Sequence, residues 1–176
     1  MSWSESLRWL ALERDLIIAD AGPLIGMARV GLLSLLKDLY LKVVVPPRVY
    51  DELQISLLRP GFKALVAAFQ ETWMTVEAPR PTTDLDELKE VLGDGEAEAI
   101  VLAQQRDARL LIDEKRGRSV ASSRGLKIVG TGAVLLLAKE RGLIDRVSDA
   151  LDQLASHSYR LSGDLRARIL ELAGEA

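Results

Sequence analysis

Two aspartates stand directly after short apolar runs, where buried strands are predicted to end. Asp20 follows the residues LIIA at 16–19, and Asp113 follows ARLLI at 108–112. An isolated carboxylate at the end of a buried strand is expensive to remove from water. A chain that places one there twice is predicted to use the two carboxylates in chemistry that needs charged oxygen atoms.

Two glutamates belong to the same candidate site. Glu52 lies on a predicted helix after the second strand, and Glu96 lies in the first turn of the helix that precedes residues 108–112. Glu96 shares a helical face with apolar residues at i+3, i+4 and i+7, so we expect it on the core-facing side. Glu98 shares a more mixed face, and we expect it to matter less for activity.

Each acid also has an ordinary structural interpretation. Asp20 could cap the following helix, and Glu96 could answer the positive end of its helix dipole. Glu52 could be solvated, and Asp113 could pair with a basic residue that follows it. The placement of two aspartates at strand ends and two glutamates at helix starts favours a common site.

Four carboxylates in one site repel one another and raise one another's pKa values. The usual compensation is a hard divalent cation with oxygen ligands, such as Mg²⁺ or Mn²⁺. A site of this kind hydrolyses phosphodiesters, because the cation activates a water molecule and neutralises charge on the phosphate. The residue types therefore predict metal-assisted phosphodiester hydrolysis.

Four basic residues follow Asp113 on the next predicted helix, namely Lys115, Arg116, Arg118 and Arg124. They form either a solvated charged face or a local strip that steers phosphate groups, with the first three binding the substrate. Thr131, after the next strand, could supply a further hydroxyl to the site or cap its own helix. The single histidine, His157, is assigned no catalytic role.

The elements that must position these residues alternate between short apolar strands and helices. Strands are predicted at residues 16–19, 42–45, 108–112 and 126–130, with a minor one within 73–79. This alternation is typical of βαβ units, and it predicts an α/β fold with helices on both faces of a parallel sheet. Sites in open sheets of this kind form beyond the carboxyl ends of the strands, where Asp20 and Asp113 lie.

Helices are predicted from capping residues and apolar spacing. They cover residues 22–39, as one helix or as two broken near Gly31, then a helix opened by Pro47, and residues 61–70, 94–107, 114–125, 131–142, 145–155 and 162–173. Asp94 is the candidate N-cap of the helix that carries Glu96. Residues 79–84, rich in proline and threonine, are predicted to form a surface loop.

The composition excludes several classes of site. The chain has 176 residues, a formal net charge of −3, no cysteine and one histidine. Disulfides, zinc–thiolate sites, thiol nucleophiles and histidine cages are therefore excluded. A mildly acidic chain gives no support for a broad nucleic-acid-coating surface. We expect a cytoplasmic protein without membrane contact, because no apolar stretch could span a bilayer and the charged N-terminus is not a signal peptide.

One domain is expected over residues 15–176, including a C-terminal helical tail. Residues 1–14 are predicted to form a helical extension, because Trp3, Leu7 and Leu10 recur at helical spacing. This extension would dock on the body of the protein through those residues, or it would act as an arm that binds a partner or forms a dimer.

Several segments, in their order and spacing, carry a resemblance to a known family. They are LIIADAGPLIGMARVGLLSLL, VVVPPRVYDEL, GDGEAEAIVLA, RLLIDEKRGRSVA and GLKIVGTGAVLLLAKERGLI, followed by the tail SYRLSGDLRARILELAGE. Together they make the chain resemble the PIN-domain ribonucleases, and among them the prokaryotic PIN-like proteins related to VapC toxins. The resemblance covers nearly everything from residue 15 onward.

The resemblance implies a three-layer α/β/α sandwich with a mostly parallel central sheet. It implies a Mg²⁺- or Mn²⁺-dependent endoribonuclease that cleaves single-stranded RNA as the toxin of a type II toxin–antitoxin pair. A small antitoxin protein would be its partner, and homodimers are common among relatives. The family's catalytic acids map onto Asp20, Glu52, Glu96 and Asp113, of which Asp20, Glu96 and Asp113 would bind the metal.

One departure from the family pattern concerns Gly22. Relatives usually carry a serine or threonine two residues after the first aspartate, where its hydroxyl can support a ligand or a water molecule. The glycine favours an alternative function, a catalytically inactive PIN-like scaffold that binds RNA or a protein partner, whereas the four acids favour the enzyme.

Receiver domains and haloacid-dehalogenase-like phosphatases are disfavoured, because Asp20 is followed by Ala21 and Gly22 and not by a second acid. The chain also lacks a P-loop, which disfavours a nucleotide triphosphatase.

Overall fold

Five short strands form one sheet in the computed structural model, which describes residues 16–55, 59–159 and 161–176. They are β1 Leu16–Ala19, β2 Lys42–Val45, β3 Met74–Val76, β4 Arg109–Leu111 and β5 Ile128–Val129. All pair in parallel, in the order β3-β2-β1-β4-β5. The predicted strands and the parallel sheet are thus confirmed, while the helix predicted at residues 1–14 lies outside the described residues.

Ten helices surround the sheet in the described part of the chain. They are α1 Ala21–Arg29, α2 Ser34–Leu39, α3 Pro47–Ile55, α4 Phe62–Gln70, α5 Thr83–Val91, α6 Asp94–Arg106, α7 Lys115–Ser123, α8 Thr131–Glu140, α9 Val147–Ser156 and α10 Gly163–Ala173. None of these described helices is long and apolar enough to cross a membrane.

The sheet is buried on both faces, which makes the fold a three-layer α/β/α sandwich. Alternate residues of β1 belong to different apolar cores: Ile17 lies in one core and Ile18 in the other. The first core includes side chains from α1, α2, α8 and α9, and the second includes side chains from α5, α6 and α7. Burial on both faces explains the continuous apolar runs of these strands, as parallel sheets require.

The strand order decides where a site can form. The chain runs outward from β1 through β2 to β3 and then returns to the opposite side of β1 with β4. The connections after β1 and β4 therefore diverge at the carboxyl ends of two neighbouring strands, and a crevice in an open α/β sheet forms at such a switch point. Asp20 and Asp113 follow these two strands.

Three local expectations need correction or completion. Residues 22–39 form two helices, and Gly31, with φ +72°, ends the first in a left-handed conformation that suits glycine. The N-cap of α6 is Gly93, so Asp94 is its first helical residue and not its cap. Helix α5 was not predicted, and it begins inside the expected 79–84 loop, where the Thr82 side chain accepts a hydrogen bond from the Leu85 N–H.

Candidate active site

Asp20 lies at the carboxyl end of β1, at the N-cap position of α1. Its residue is 8% exposed, and its side chain makes no capping hydrogen bond to that helix. Burial raises the pKa of Asp20 to about 7, opposed by the backbone N–H groups of Ala21 and Gly22 and reinforced by the charges of Glu96 and Glu52. Asp20, Glu52 and Glu96 therefore lie near enough to one another for the charges of the two glutamates to act on Asp20.

Glu52 approaches the same edge from α3, the helix that follows β2. Desolvation raises its pKa, and the neighbouring charges of Glu96 and Asp94 raise it further. A Cβ atom on Gly95 would lie 2.5 Å from Glu52 Oε1, so the glycine allows α3 and the start of α6 to approach this closely. Glu52 is nevertheless exposed, which makes it the acid of this group most accessible to solvent.

Glu96 occupies the first turn of α6 with one oxygen satisfied and one unsatisfied. Its Oε2 accepts a hydrogen bond of 3.3 Å from the Gly93 N–H. Its Oε1 is buried and has no hydrogen-bond partner among the described residues. Desolvation raises the pKa of Glu96, the Gly93 N–H lowers it, and the charge of Glu114 raises it again. A buried oxygen without a donor is costly, so it marks a position where a cation or a water molecule would be favourable.

Asp113 lies after β4 and differs from the other acids, because protein donors already hold both of its oxygens. Oδ1 accepts a hydrogen bond of 2.9 Å from the Thr131 N–H, and Oδ2 accepts one of 2.5 Å from Thr131 Oγ1. The hydroxyl of Tyr159 also donates to Oδ2. Thr131 is fully buried at the first position of α8. Its hydroxyl therefore orients Asp113, and neither faces solvent nor caps its own helix.

Tyr159 is a site residue that the sequence did not reveal. It lies between α9 and α10, and its ring packs on Gly26, where a Cβ atom would lie 2.5 Å from the ring. Burial raises the pKa of the Tyr159 hydroxyl, and the charge of Asp113 raises it further, so the phenol stays a proton donor. A glycine in the middle of a helix costs about 1 kcal/mol relative to alanine, so Gly26 in α1 was the one available signal of a close approach.

Glu98 is more buried than the sequence pattern indicated, with 8% exposure. Its Oε2 accepts a hydrogen bond of 3.0 Å from the Arg48 N–H in the first turn of α3, and its Oε1 lies 3.4 Å from Lys89 Nζ. This carboxylate stabilises the start of the helix that carries Glu52, as an anion at a helix N-terminus does. Glu98 therefore contributes to the site indirectly, by stabilising the helix on which Glu52 lies.

The predicted basic strip divides into two groups. Lys115 and Arg116 are exposed on α7, next to the acids, and the charge of Arg116 lowers the pKa of Glu96. Arg118 donates to the Ile112 carbonyl at 2.9 Å, and Arg124 pairs with Asp84 on α5 at 2.7 Å. The first group is available to phosphate, whereas the second also contributes to internal packing.

The donor set of the site suits a hard cation. No three or more histidine or acidic side chains of the described ranges are grouped closely enough to hold a metal ion. The chemistry still fits Mg²⁺ or Mn²⁺, which prefer carboxylate oxygens. The charges of Glu96 and Glu52 raise the pKa of Asp20, the charge of Glu96 raises that of Glu52, and Glu96 Oε1 lacks a donor in the described structure. A cation would relieve both conditions.

Comparison with known protein families adds one finding. Residues 16–175 match a family model described as a PIN domain, which covers both sheet edges and all of the acids above. Among curated proteins, no sequence matches the chain.

Proposed function

The chain belongs to the PIN-domain family, whose members are generally nucleases, and on this premise we propose that it is a metal-dependent endoribonuclease that cleaves single-stranded RNA. The observation that carries the proposal is the group of Asp20, Glu52 and Glu96, in which burial, reinforced by the charges of Glu96 and Glu52, raises the pKa of Asp20 to about 7. A protein gains nothing in stability from this repulsion. The arrangement is explained if the group binds a cation during phosphodiester hydrolysis.

In the proposed mechanism, Asp20, Glu96 and Asp113 would hold Mg²⁺ or Mn²⁺. The bound ion would neutralise charge on the phosphate and lower the pKa of an attacking water. Asp20, whose pKa of about 7 lies near neutrality, would hold the ion in its ionised form. Thr131 and Tyr159, which donate hydrogen bonds to Asp113, would fix the orientation of its carboxylate.

Glu52 and the exposed basic residues act on the substrate side of the same edge. Glu52 is exposed and has a raised pKa, so it is suited to orient a water molecule and to accept its proton. Lys115 and Arg116, together with Arg118, would attract the RNA backbone, which binds locally although the whole chain is mildly acidic. Thr131 would contribute indirectly, through its bonds to Asp113.

The second candidate function, an inactive scaffold that binds RNA or a protein partner, rests on Gly22. A Cβ atom at this position would lie 3.7 Å from Asp20 Oδ2, an ordinary contact distance. A serine would therefore fit beside Asp20, and steric exclusion does not explain its absence. If the missing hydroxyl limits activity, Gly22→Ser should increase the rate of RNA cleavage.

We also propose the biological role that the resemblance to VapC toxins implies: a cytoplasmic toxin, inhibited by a small antitoxin protein and assembled as a homodimer. Two observations would support this role. One is a small open reading frame next to the gene for this chain. The other is growth arrest on expression of the chain that co-expression of this second protein relieves.

Cleavage of a single-stranded RNA in Mn²⁺ and in chelator tests the enzymatic proposal. We expect cleavage only with the metal. An isothermal titration with Mn²⁺ separates the two candidate functions, because the enzyme must bind the ion whereas a scaffold need not. Metal-independent RNA binding, without cleavage at any Mn²⁺ concentration, would favour the scaffold.

A further inference from the structure

A cavity of about 260 Å³ opens beside Asp113, between α8 and α10. Its walls are mainly aliphatic, with Ala133 and Leu136 contributed by α8 and Ile169 and Leu172 contributed by α10. Pockets for small molecules are usually apolar with a few polar groups that fix orientation. This cavity has that composition, and its volume suits one ring system better than a large ligand.

Two glycines shape the side of the cavity that faces the acids. A Cβ atom on Gly132 would lie 2.4 Å from Ile169 Cδ1, so the glycine allows α10 to approach α8. A Cβ atom on Gly130 would lie 2.9 Å from both Asp113 Oδ1 and Arg118 Nη1. The charged groups of the site therefore reach the cavity wall because residue 130 has no side chain.

Two arginines supply positive charge to the lining. Arg118 bonds to the Ile112 carbonyl through Nη1, and a guanidinium has five N–H donors in total. Arg168 pairs with Glu171 at 2.5 Å, but both side chains are about half exposed. An exposed ion pair contributes little to stability, so this pair holds the Arg168 guanidinium only weakly. Both guanidinium groups can bind a phosphate or stack on a flat ring.

We propose that this cavity binds one nucleobase of the RNA strand, next to the phosphate that is cleaved. The inference rests on the proposed function, and it adds that the enzyme recognises a base as well as a backbone. Bases drawn out of a strand stack between apolar side chains, while phosphates bind arginine. Arg118 and Arg168 beside aliphatic walls match a nucleotide in this way, whereas an apolar side chain of a partner protein would leave both charges unused.

The test measures binding of nucleotides to the full chain in chelator, where no cleavage interferes. The probes are AMP, GMP, CMP, UMP and ribose 5-phosphate, titrated by NMR. At least one nucleotide should bind about tenfold more tightly than ribose 5-phosphate, since stacking of one base contributes on that scale. Ala133→Phe should fill the cavity and remove this difference. The matched control, Ala167→Phe, makes the same change at an exposed position of α10 and should preserve it.

A surface variant covers the case in which Ala133→Phe does not fold. Arg168→Gln alters an exposed side chain, and it should weaken all nucleotides and ribose 5-phosphate together. Equal affinity of wild type for nucleotides and ribose 5-phosphate would overturn the proposal, as would a folded Ala133→Phe with unchanged discrimination. Base-dependent binding without RNA cleavage in Mn²⁺ would retain the cavity and reject the nuclease. RNA cleavage without base-dependent binding would retain the nuclease and reject the base-binding role of the cavity.

Discussion

The two aspartates at neighbouring strand ends share a residue type and a position in the fold, but they have opposite environments. Asp20 is buried beside Glu52 and Glu96, and its pKa rises to about 7. Asp113 is met by the Thr131 N–H and hydroxyl and by the Tyr159 hydroxyl. A strand-end position therefore brings carboxylates to one edge, while the donors on neighbouring helices and loops determine how each carboxylate is hydrogen-bonded.

The largest effect is expected at the hydrogen-bonded member of this pair. Asp113→Asn should reduce Mn²⁺-dependent RNA cleavage on the order of 100-fold or more, because it removes a proposed ligand charge. The fold should survive, since the amide oxygen can still accept from the Thr131 N–H. Rates with and without Mn²⁺ measure the effect, and Asp145→Asn at an exposed position is the control. A variant with wild-type activity would remove Asp113 from the site.

Asp20, which is repelled by its acidic neighbours, should make the stability of the protein depend on the metal. In chelator at about pH 8, Asp20→Asn should be at least as stable as wild type, because it relieves repulsion by Glu52 and Glu96. Mn²⁺ at about 100 times its dissociation constant should stabilise wild type by roughly 2.7 kcal/mol, and it should stabilise the variant much less. The measurement is thermal unfolding of wild type and of Asp20→Asn, each in chelator and in Mn²⁺. A wild-type melting temperature that does not change with Mn²⁺ would contradict the proposed site.

Glu96 and Glu98 sharpen the comparison within one helix. Glu96→Gln should reduce activity strongly, because it removes the charge of a proposed ligand whose Oε1 is buried without a hydrogen-bond partner among the described residues. Glu98→Gln should mainly reduce stability, by about 1–3 kcal/mol, since it weakens a buried charged acceptor for the Arg48 N–H. Denaturant unfolding and cleavage rates of both variants measure the two effects. Equal activity losses in the two variants, or a larger loss in Glu98→Gln, would contradict the assignment of Glu96 and not Glu98 to the active site.

The raised pKa of Asp20 predicts a pH dependence of the metal-free protein. The folded-state pKa, about 7, exceeds the ordinary 3.8, so the folded state binds the proton more tightly than the unfolded state. Stability should therefore fall as pH rises towards 7 and then level off. Between about pH 5 and pH 8 we expect a loss on the order of 1–3 kcal/mol in wild type. A curve for Asp20→Asn of the same slope would contradict this assignment.

The smallest effect is expected at Tyr159. Tyr159→Phe keeps the ring on Gly26 but removes one donor to Asp113, so activity should fall about tenfold or less, and stability by about 0.5–1.5 kcal/mol. The apparent affinity for Mn²⁺, measured by titration, should weaken as well, because Asp113 is less well oriented. Tyr159→Leu, which also loses ring packing, is the comparison that separates orientation from packing. An unchanged affinity and rate in the phenylalanine variant would make Tyr159 a packing residue alone.

The alternating strands and helices, the parallel sheet and the strand-end aspartates were all predictable from the sequence. These features depend on local signals: apolar runs of four or five residues, capping residues, and turns that follow them. Helix α5 escaped prediction because only Leu85 and Leu88 of its residues are buried, so its apolar periodicity is weak. The candidate acids were likewise chosen by residue type and by position relative to a predicted strand or helix.

The sequence by itself determined which residues can meet at the carboxyl edge, because strand ends in a parallel sheet point the same way. Only the tertiary structure decided how each acid is satisfied. Tyr159 reaches Asp113 across 46 positions of sequence, and Glu98 reaches the Arg48 N–H across 50. Contacts of this kind depend on how helices pack on the sheet, and no short-range pattern records them. Desolvation, which sets the pKa of Asp20, is also a property of the packed core and not of the residue.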